Sequence, residues 1–145
     1  MNEKNFIKLE YEILQNDFTR AGEASSNIKK ILKQLGIEAK IVRKVAIATY
    51  EAEMNIVIHS YGGMIKVIIT EQYVDIYAID KGPGIKDIEL AMKEGYSTAP
   101  NHIRELGFGA GMGLPNMKRC SDEFNIESIP NEKTEVYMRI YINKI

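Results

Sequence analysis

The 145-residue chain contains no tryptophan, one cysteine (Cys120), two histidines and four prolines. A lone cysteine excludes an internal disulfide framework and any cysteine-rich metal centre. Charge of one sign is also missing: nineteen Lys and Arg face twenty Asp and Glu, for a net charge of −1. Domains that hold nucleic acid by neutralising its phosphates are usually basic, so this balance argues against a direct nucleic-acid partner. No apolar run approaches the ~20 residues of a membrane span. The charged start Met1–Asn5 leads into no signal-like segment, so the expected compartment is the cytoplasm, away from membrane. The length predicts one domain over residues 1–145, burying about 68–70% of the surface its unfolded chain exposes. It is too short for a bilobal protein kinase or a (β/α)-barrel.

What is present is ordinary globular composition, 45% hydrophobic and 27% charged, with eleven glycines unevenly placed. Alternation over residues 6–14 predicts a first strand. Helical spacing of Ile28, Ile31, Leu32 and Leu35 predicts a helix over 21–35, stopped by Gly36. A longer helix is predicted over 38–59, ended by Gly62-Gly63. Two β-rich runs, 65–70 and 74–79, read as a hairpin. A Gly/Pro turn follows at 80–84, then a short helix at 87–93, a long glycine-studded loop at 95–113 and a helix at 114–121. Strands at 124–129 and 135–142 close the chain. Loops as long as 95–113 are uncommon inside domains and are usually functional lids. The element order predicts an α/β (α+β) two-layer sandwich with its helices on one face.

On the long helix, Ile41, Val45, Ala48, Ala52 and Ile56 form an apolar stripe at ~100° per residue. Glu51, Asn55 and His59 fall at i, i+4 and i+8, one polar row on a helix otherwise built for burial. A buried polar group without a partner is costly, so the row asks for a ligand or a network. A solvated flank with His59 packed in the core fits the helix alone equally well.

Two glycine segments follow. Asp80-Lys81-Gly82-Pro83-Gly84 leaves an apolar strand with a carboxylate and then with glycines that let a ligand approach the backbone. An ordinary β-to-α turn has the same composition. Gly107-Phe108-Gly109-Ala110-Gly111-Met112-Gly113 places unhindered N–H groups before a helix start, which suits phosphate; the alternative is a hinge. It matches neither the dinucleotide fingerprint G-x-G-x-x-G nor a Walker A loop.

Taken in order, these segments resemble the boxes of the GHKL (Bergerat-fold) ATPases, and more closely the small anti-sigma-factor serine kinases with their stress-switch branch. Glu51–His59 resembles the N box, 80–84 the G1 box and 107–113, continuing through Leu114-Pro115-Asn116-Met117-Lys118-Arg119, the G2 box. The likeness spans nearly the whole chain. It implies a mixed β-sheet with helices on one face and an ATP lid, binding ATP and Mg²⁺. Asn55 matches the Mg²⁺-ligating amide and Glu51 the general base. Asp80 matches the carboxylate that reads the adenine amine, with Gly82 and Gly84 keeping room beside it. Gly107, Gly109, Gly111 and Gly113 match lid and phosphate contacts, Arg104 a lid arginine, and Thr134 the threonine near adenine. Where the family usually has Gly-Thr-Thr, this chain reads Lys133-Thr134-Glu135. His59 is read as a packing or hydrogen-bonding group, His102 as an exposed lid residue and Cys120 as a small core residue. Tyr96-Ser97-Thr98 are read as lid donors or a polar loop.

The resemblance implies a protein serine/threonine kinase that phosphorylates a STAS-domain (anti-anti-sigma) protein. A sigma factor or an output phosphatase is a further expected partner, and the first strand offers an edge for a homodimer. A nucleotide-gated binding switch with little turnover is the second expectation. The detached catalytic domain of a histidine kinase ranks below both, since neither histidine is placed as an acceptor.

Overall fold

The computed structural model describes residues 6–85, 87–93 and 113–142. The chain runs β1 (Ile7–Ile13), α1 (Glu23–Gln34), α2 (Ala39–His59), β2 (Gly63–Ile69), β3 (Tyr73–Lys81), α3 (Ile88–Ala91), α4 (Gly113–Cys120), β4 (Glu123–Ile129) and β5 (Lys133–Tyr141). The strands form one five-stranded sheet in the order β1-β2-β3-β5-β4. The expected lid, 95–113, lies outside the described residues except for Gly113, which opens α4.

The two-layer sandwich with helices on one face is what forms, but the sheet is not the expected mixed one: all four strand pairings are antiparallel. The α1–α2 hairpin returns the chain to the end of the sheet it left, so β2 must run against β1. β3 and β4 do point the same way, but β5 lies between them and pairs with both. The strand ends also move. β3 extends two residues beyond the predicted run, so Asp80 is a strand residue paired with Gly63 and Thr134 rather than part of a turn. Gly63, expected to end a helix, opens β2. A Cβ there would lie 2.3 Å from the Ile79 carbonyl oxygen, so strand contact requires glycine at this position.

Period-two alternation sends Ile65, Val67, Ile69, Val74, Ile76, Val136, Met138 and Ile140 into the core. The α2 stripe of Ile41, Val45, Ala48, Ala52 and Ile56 meets them, all buried as its spacing predicts. Helix α2 is the centre of the helix layer, with α1 on one side and α4 on the other. On the other face of the sheet, Arg139 grips the buried Asp75 with two bonds of 2.7 and 2.8 Å. Tyr137 donates to the same carboxylate at 2.9 Å. Such charge-assisted, bidentate pairing offsets the desolvation of Asp75.

Helix α1 begins without a capping side chain, at Gly22 with φ 98°. Its orphan N–H groups are satisfied from α2 instead. Gly22 N and Ala24 N donate to Glu53 Oε2 at 2.9 and 3.3 Å, and Ser25 N to Oε1 at 3.2 Å. Glu53 is 2% exposed. A carboxylate at a helix N-terminus gains from both the N–H groups and the helix dipole. Replacing Glu53 with Ala strands two buried donors and the half-buried Gly22 N–H, and denaturant melts should show a loss of about 2–4 kcal/mol. Glu53→Gln keeps an acceptor and should lose less. Equal, near-zero losses would remove Glu53 from this role.

Candidate functional site

Glu51 and Asn55 lie one turn apart on the half-buried side of α2 that faces α4. Their side chains converge on the first residue of α4. A Cβ built on Gly113 would stand 3.2 Å from Asn55 Oδ1 and 3.8 Å from Glu51 Oε2, so this approach leaves little room for a side chain. Asn116, one turn into α4, donates through Nδ2 to Glu51 Oε2 at 3.1 Å, and its own Oδ1 accepts from Arg119 at 3.3 Å. One carboxylate oxygen of Glu51 is thereby held by an amide that a guanidinium orients. The positive end of α4 points at the same spot.

The second group lies where α2 ends, ~12 Å farther along its axis at 1.5 Å per residue from Glu51 to His59. Tyr61 N donates to Lys81 O at 2.8 Å, tying the end of α2 to the end of β3. Asp80 accepts from Thr134 N at 3.2 Å across the β3–β5 ladder. Burial pushes its carboxyl up to about 6, and the Thr134 N–H pulls the other way. Thr134 is buried, with its hydroxyl 3.0 Å from Ser128 Oγ. Ser128 also accepts from Ile85 N at 2.7 Å, and Gly82 N donates to Glu132 O at 3.0 Å, so the 82–85 segment is pinned to the β4–β5 turn. Gly84 has φ +73°, and a Cβ there would lie 2.7 Å from the Ile129 carbonyl oxygen. This glycine is required by contact with the protein's own backbone, a demand additional to the open pocket that the resemblance implies.

His59, the last residue of α2, is half-buried, and burial lowers its pKa. Burial raises the thiol of Cys120, with Lys44 and Arg119 acting against it. Arg104, Gly107, Gly109, Gly111, His102 and Tyr96–Thr98 lie outside the described residues. Three participants were not foreseen from sequence. Asn116 stood in the G2-like run without a role, Glu53 was a charge on a buried helix, and Ser128 carried no signal at all.

A family profile for the histidine kinase-like ATPase domain matches residues 14–140. The chain belongs to that family. It is 32% identical over 143 residues to the serine/threonine-protein kinase RsbT of Bacillus subtilis, covering 94% of this chain and 95% of that one. It is 34% identical over 116 residues to an anti-sigma F factor of Caldanaerobacter subterraneus, with 77% and 78% covered. Among solved structures, the SiaB–SiaC complex of Pseudomonas aeruginosa superposes with a TM-score of 0.62 at 12% identity, over 91% of this chain and 88% of that one. The RsbU and RsbW domains of a Mycobacterium tuberculosis protein superpose at 0.61 and 15%, over 92% of this chain and 32% of that one. Those two likenesses are of fold.

Among the described residues no cluster of three or more His, Cys, Asp or Glu forms a metal cage. The oxygen donors of Asn55 and Glu51 do fit a hard cation that takes one or two protein oxygens and completes its shell with phosphate and water. No helix among the described residues is long and apolar enough to cross a membrane.

Asp80 gives opposed expectations for stability and binding. Its native carboxyl titrates above its unfolded value, so the folded state binds the extra proton and loses stability as pH rises from about 4 to about 6. Asp80→Asn keeps the acceptor for Thr134 and should raise the melting temperature at pH 8. On the adenine-reading role that the resemblance implies for Asp80, the same variant should bind ATP roughly 10–100-fold more weakly at pH 8, the ionised acceptor being gone. Calorimetric titration from pH 8 to 5 should show wild-type affinity falling through about pH 6 relative to the variant. Parallel curves would remove Asp80 from base recognition.

Proposed function

We propose that this chain is an ATP- and Mg²⁺-dependent protein serine/threonine kinase of the anti-sigma regulatory type, acting on a STAS-domain partner. The observation that carries this is the meeting of Glu51, Asn55 and Gly113 at the start of α4. The Asp80–Thr134 pair stands at the far end of the same helix. A nucleoside triphosphate laid along the second half of α2 joins the two: adenine at Asp80 and Thr134, beside Gly82 and Gly84, and phosphates at the α4 start. Gly107, Gly109, Gly111 and Arg104 complete the phosphate contacts on this reading. The name and coverage of the RsbT relative support it.

In the reaction, the acceptor hydroxyl oxygen bonds to the γ-phosphorus as the bond to the β–γ bridging oxygen breaks. ADP leaves with that electron pair, and the hydroxyl proton passes to Glu51. Asn116 holds Oε2 of Glu51, which leaves Oε1 to take the proton. Asn55 Oδ1 is the atom that would hold Mg²⁺, whose chemistry is to draw charge from the phosphates. The N-terminal end of α4 adds a fixed positive potential. The whole 1–145 chain acts as one unit in the cytoplasm, either alone or as a homodimer through β1, an edge strand among the described residues.

The second reading is a nucleotide-gated switch that binds a sigma factor or an output phosphatase with little transfer, favoured by relatives named anti-sigma F factor. Labelled ATP separates the two. Against STAS-domain proteins from the same genome, the wild-type chain should label one hydroxyl. Glu51→Gln should cut that rate by about 10²–10⁴ with ATP affinity nearly unchanged. Tight ATP binding with no transfer favours the switch, and a Glu51→Gln chain that transfers at the wild-type rate overturns the mechanism.

A further inference from the structure

Resting on that kinase reading, we propose that a cationic cleft on the outer face of the helix layer is where the phosphoacceptor docks, through an acidic segment that also carries apolar side chains.

The cleft has a volume of about 1040 Å³ and lies between α1 and α4, with α2 as its floor. The floor is apolar: Ala46, Ile47 and Tyr50 line it. Ile47 and Tyr50 are 39% and 38% exposed, large side chains left open to water on the outer side of α2. Lys29, Lys33 and Arg43 form the rim. None of the ion pairs among the described residues uses any of these three. In a chain of net charge −1, a local excess of unneutralised cations over an apolar floor complements a segment with acidic and apolar faces.

A polyphosphate chain is the less suited occupant. Nucleic-acid affinity is built from many phosphate contacts, whereas here four cations, one of them Arg119 bonded to Asn116, line a cleft with an aliphatic and aromatic floor, and a carboxylate stands at one end. That carboxylate is Glu51. It lines the cleft, and so do Asn116, which donates to it, and Arg119, which donates to Asn116. Docking surface and proposed base therefore share a residue, and a partner seated over Ile47 and Tyr50 brings its adjoining hydroxyl to Glu51 without crossing the α1 or α4 ridge. Recognition and chemistry are joined by continuity along α2, one turn apart at Ile47 and Glu51.

The test uses the full chain, labelled ATP and the STAS-domain proteins of the same genome. The Lys29→Glu/Arg43→Glu double variant is compared with the charge-keeping Lys29→Arg/Arg43→Lys. The expected result for charge reversal is a KM for the acceptor raised by about tenfold or more, with kcat and ATP affinity unchanged. The charge-keeping variant should behave as wild type. Wild-type KM should also rise with salt, and the reversed variant's should rise much less. A photo-crosslinker at Ile47 should capture the acceptor, and one at Ile68, on the opposite face of the sheet, should not. An unchanged KM on charge reversal, or capture from Ile68 alone, overturns the cleft proposal and leaves the kinase reading standing. No transfer from the wild-type chain to any of these proteins sinks the kinase reading itself, and the docking proposal with it.

Discussion

The side of a helix that is packed into a protein can carry polar side chains only where each finds a partner, and α2 is packed on two sides, against α1 and against α4. At ~100° per residue, Glu51 and Glu53 point about 200° apart, while Asn55 returns to within about 40° of Glu51. The three residues therefore serve two sides of one rod. Glu53 turns to α1 and satisfies the N–H groups that Gly22 leaves uncapped. Glu51 and Asn55 turn to α4 and meet its first turn. The position of both flanking helices thus depends on the polar residues of the middle one. No buried side-chain nitrogen or oxygen among the described residues is left without a partner.

The far end of α2 shows the opposite balance. Asp80 is half-buried with one backbone donor, and burial outweighs that bond, so its carboxyl titrates high. Full satisfaction by the protein would have produced a more stable strand end. An under-satisfied carboxylate beside a buried threonine is instead a place with capacity for a further donor. Perturbed groups of this kind concentrate at functional sites. The close packing of Gly82 and Gly84 against Ser60 and the β4–β5 turn holds the segment in place while Asp80 keeps that capacity.

The two outer surfaces differ in the same way. On the exposed face of the sheet, Asp75, Arg139, Tyr137 and Tyr73 satisfy one another, with the guanidinium stacked 3.7 Å from the Tyr73 ring. On the outer face of the helices, Lys29, Lys33 and Arg43 surround an apolar floor and enter none of the ion pairs among the described residues. A saturated network stabilises a fold, whereas unneutralised cations beside exposed Ile47 and Tyr50 leave binding capacity unused.

Much of this was legible in order and spacing. The stripe from Ile41 to Ile56, the alternation of β2, β3 and β5 and the polar row of α2 are local periodicities, and local geometry alone decides which side chains share a face. The sequence by itself therefore determined the elements, the layer each one buries and the pairing of Glu51 with Asn55 on one line of a helix. The β2–β3 hairpin was legible too, but the other strand neighbours and directions were not read from local pattern. Only the folded chain placed β5 between β3 and β4, set Asp80 opposite Thr134 and Ser128, and brought Asn116 to Glu51 across sixty-five residues. It also gave Glu53, an isolated charge in the sequence, a helix terminus to cap. Periodicity reports which way a side chain faces along its own element, but which groups it meets there depends on how distant elements pack, and that is where the chemistry of this site was decided.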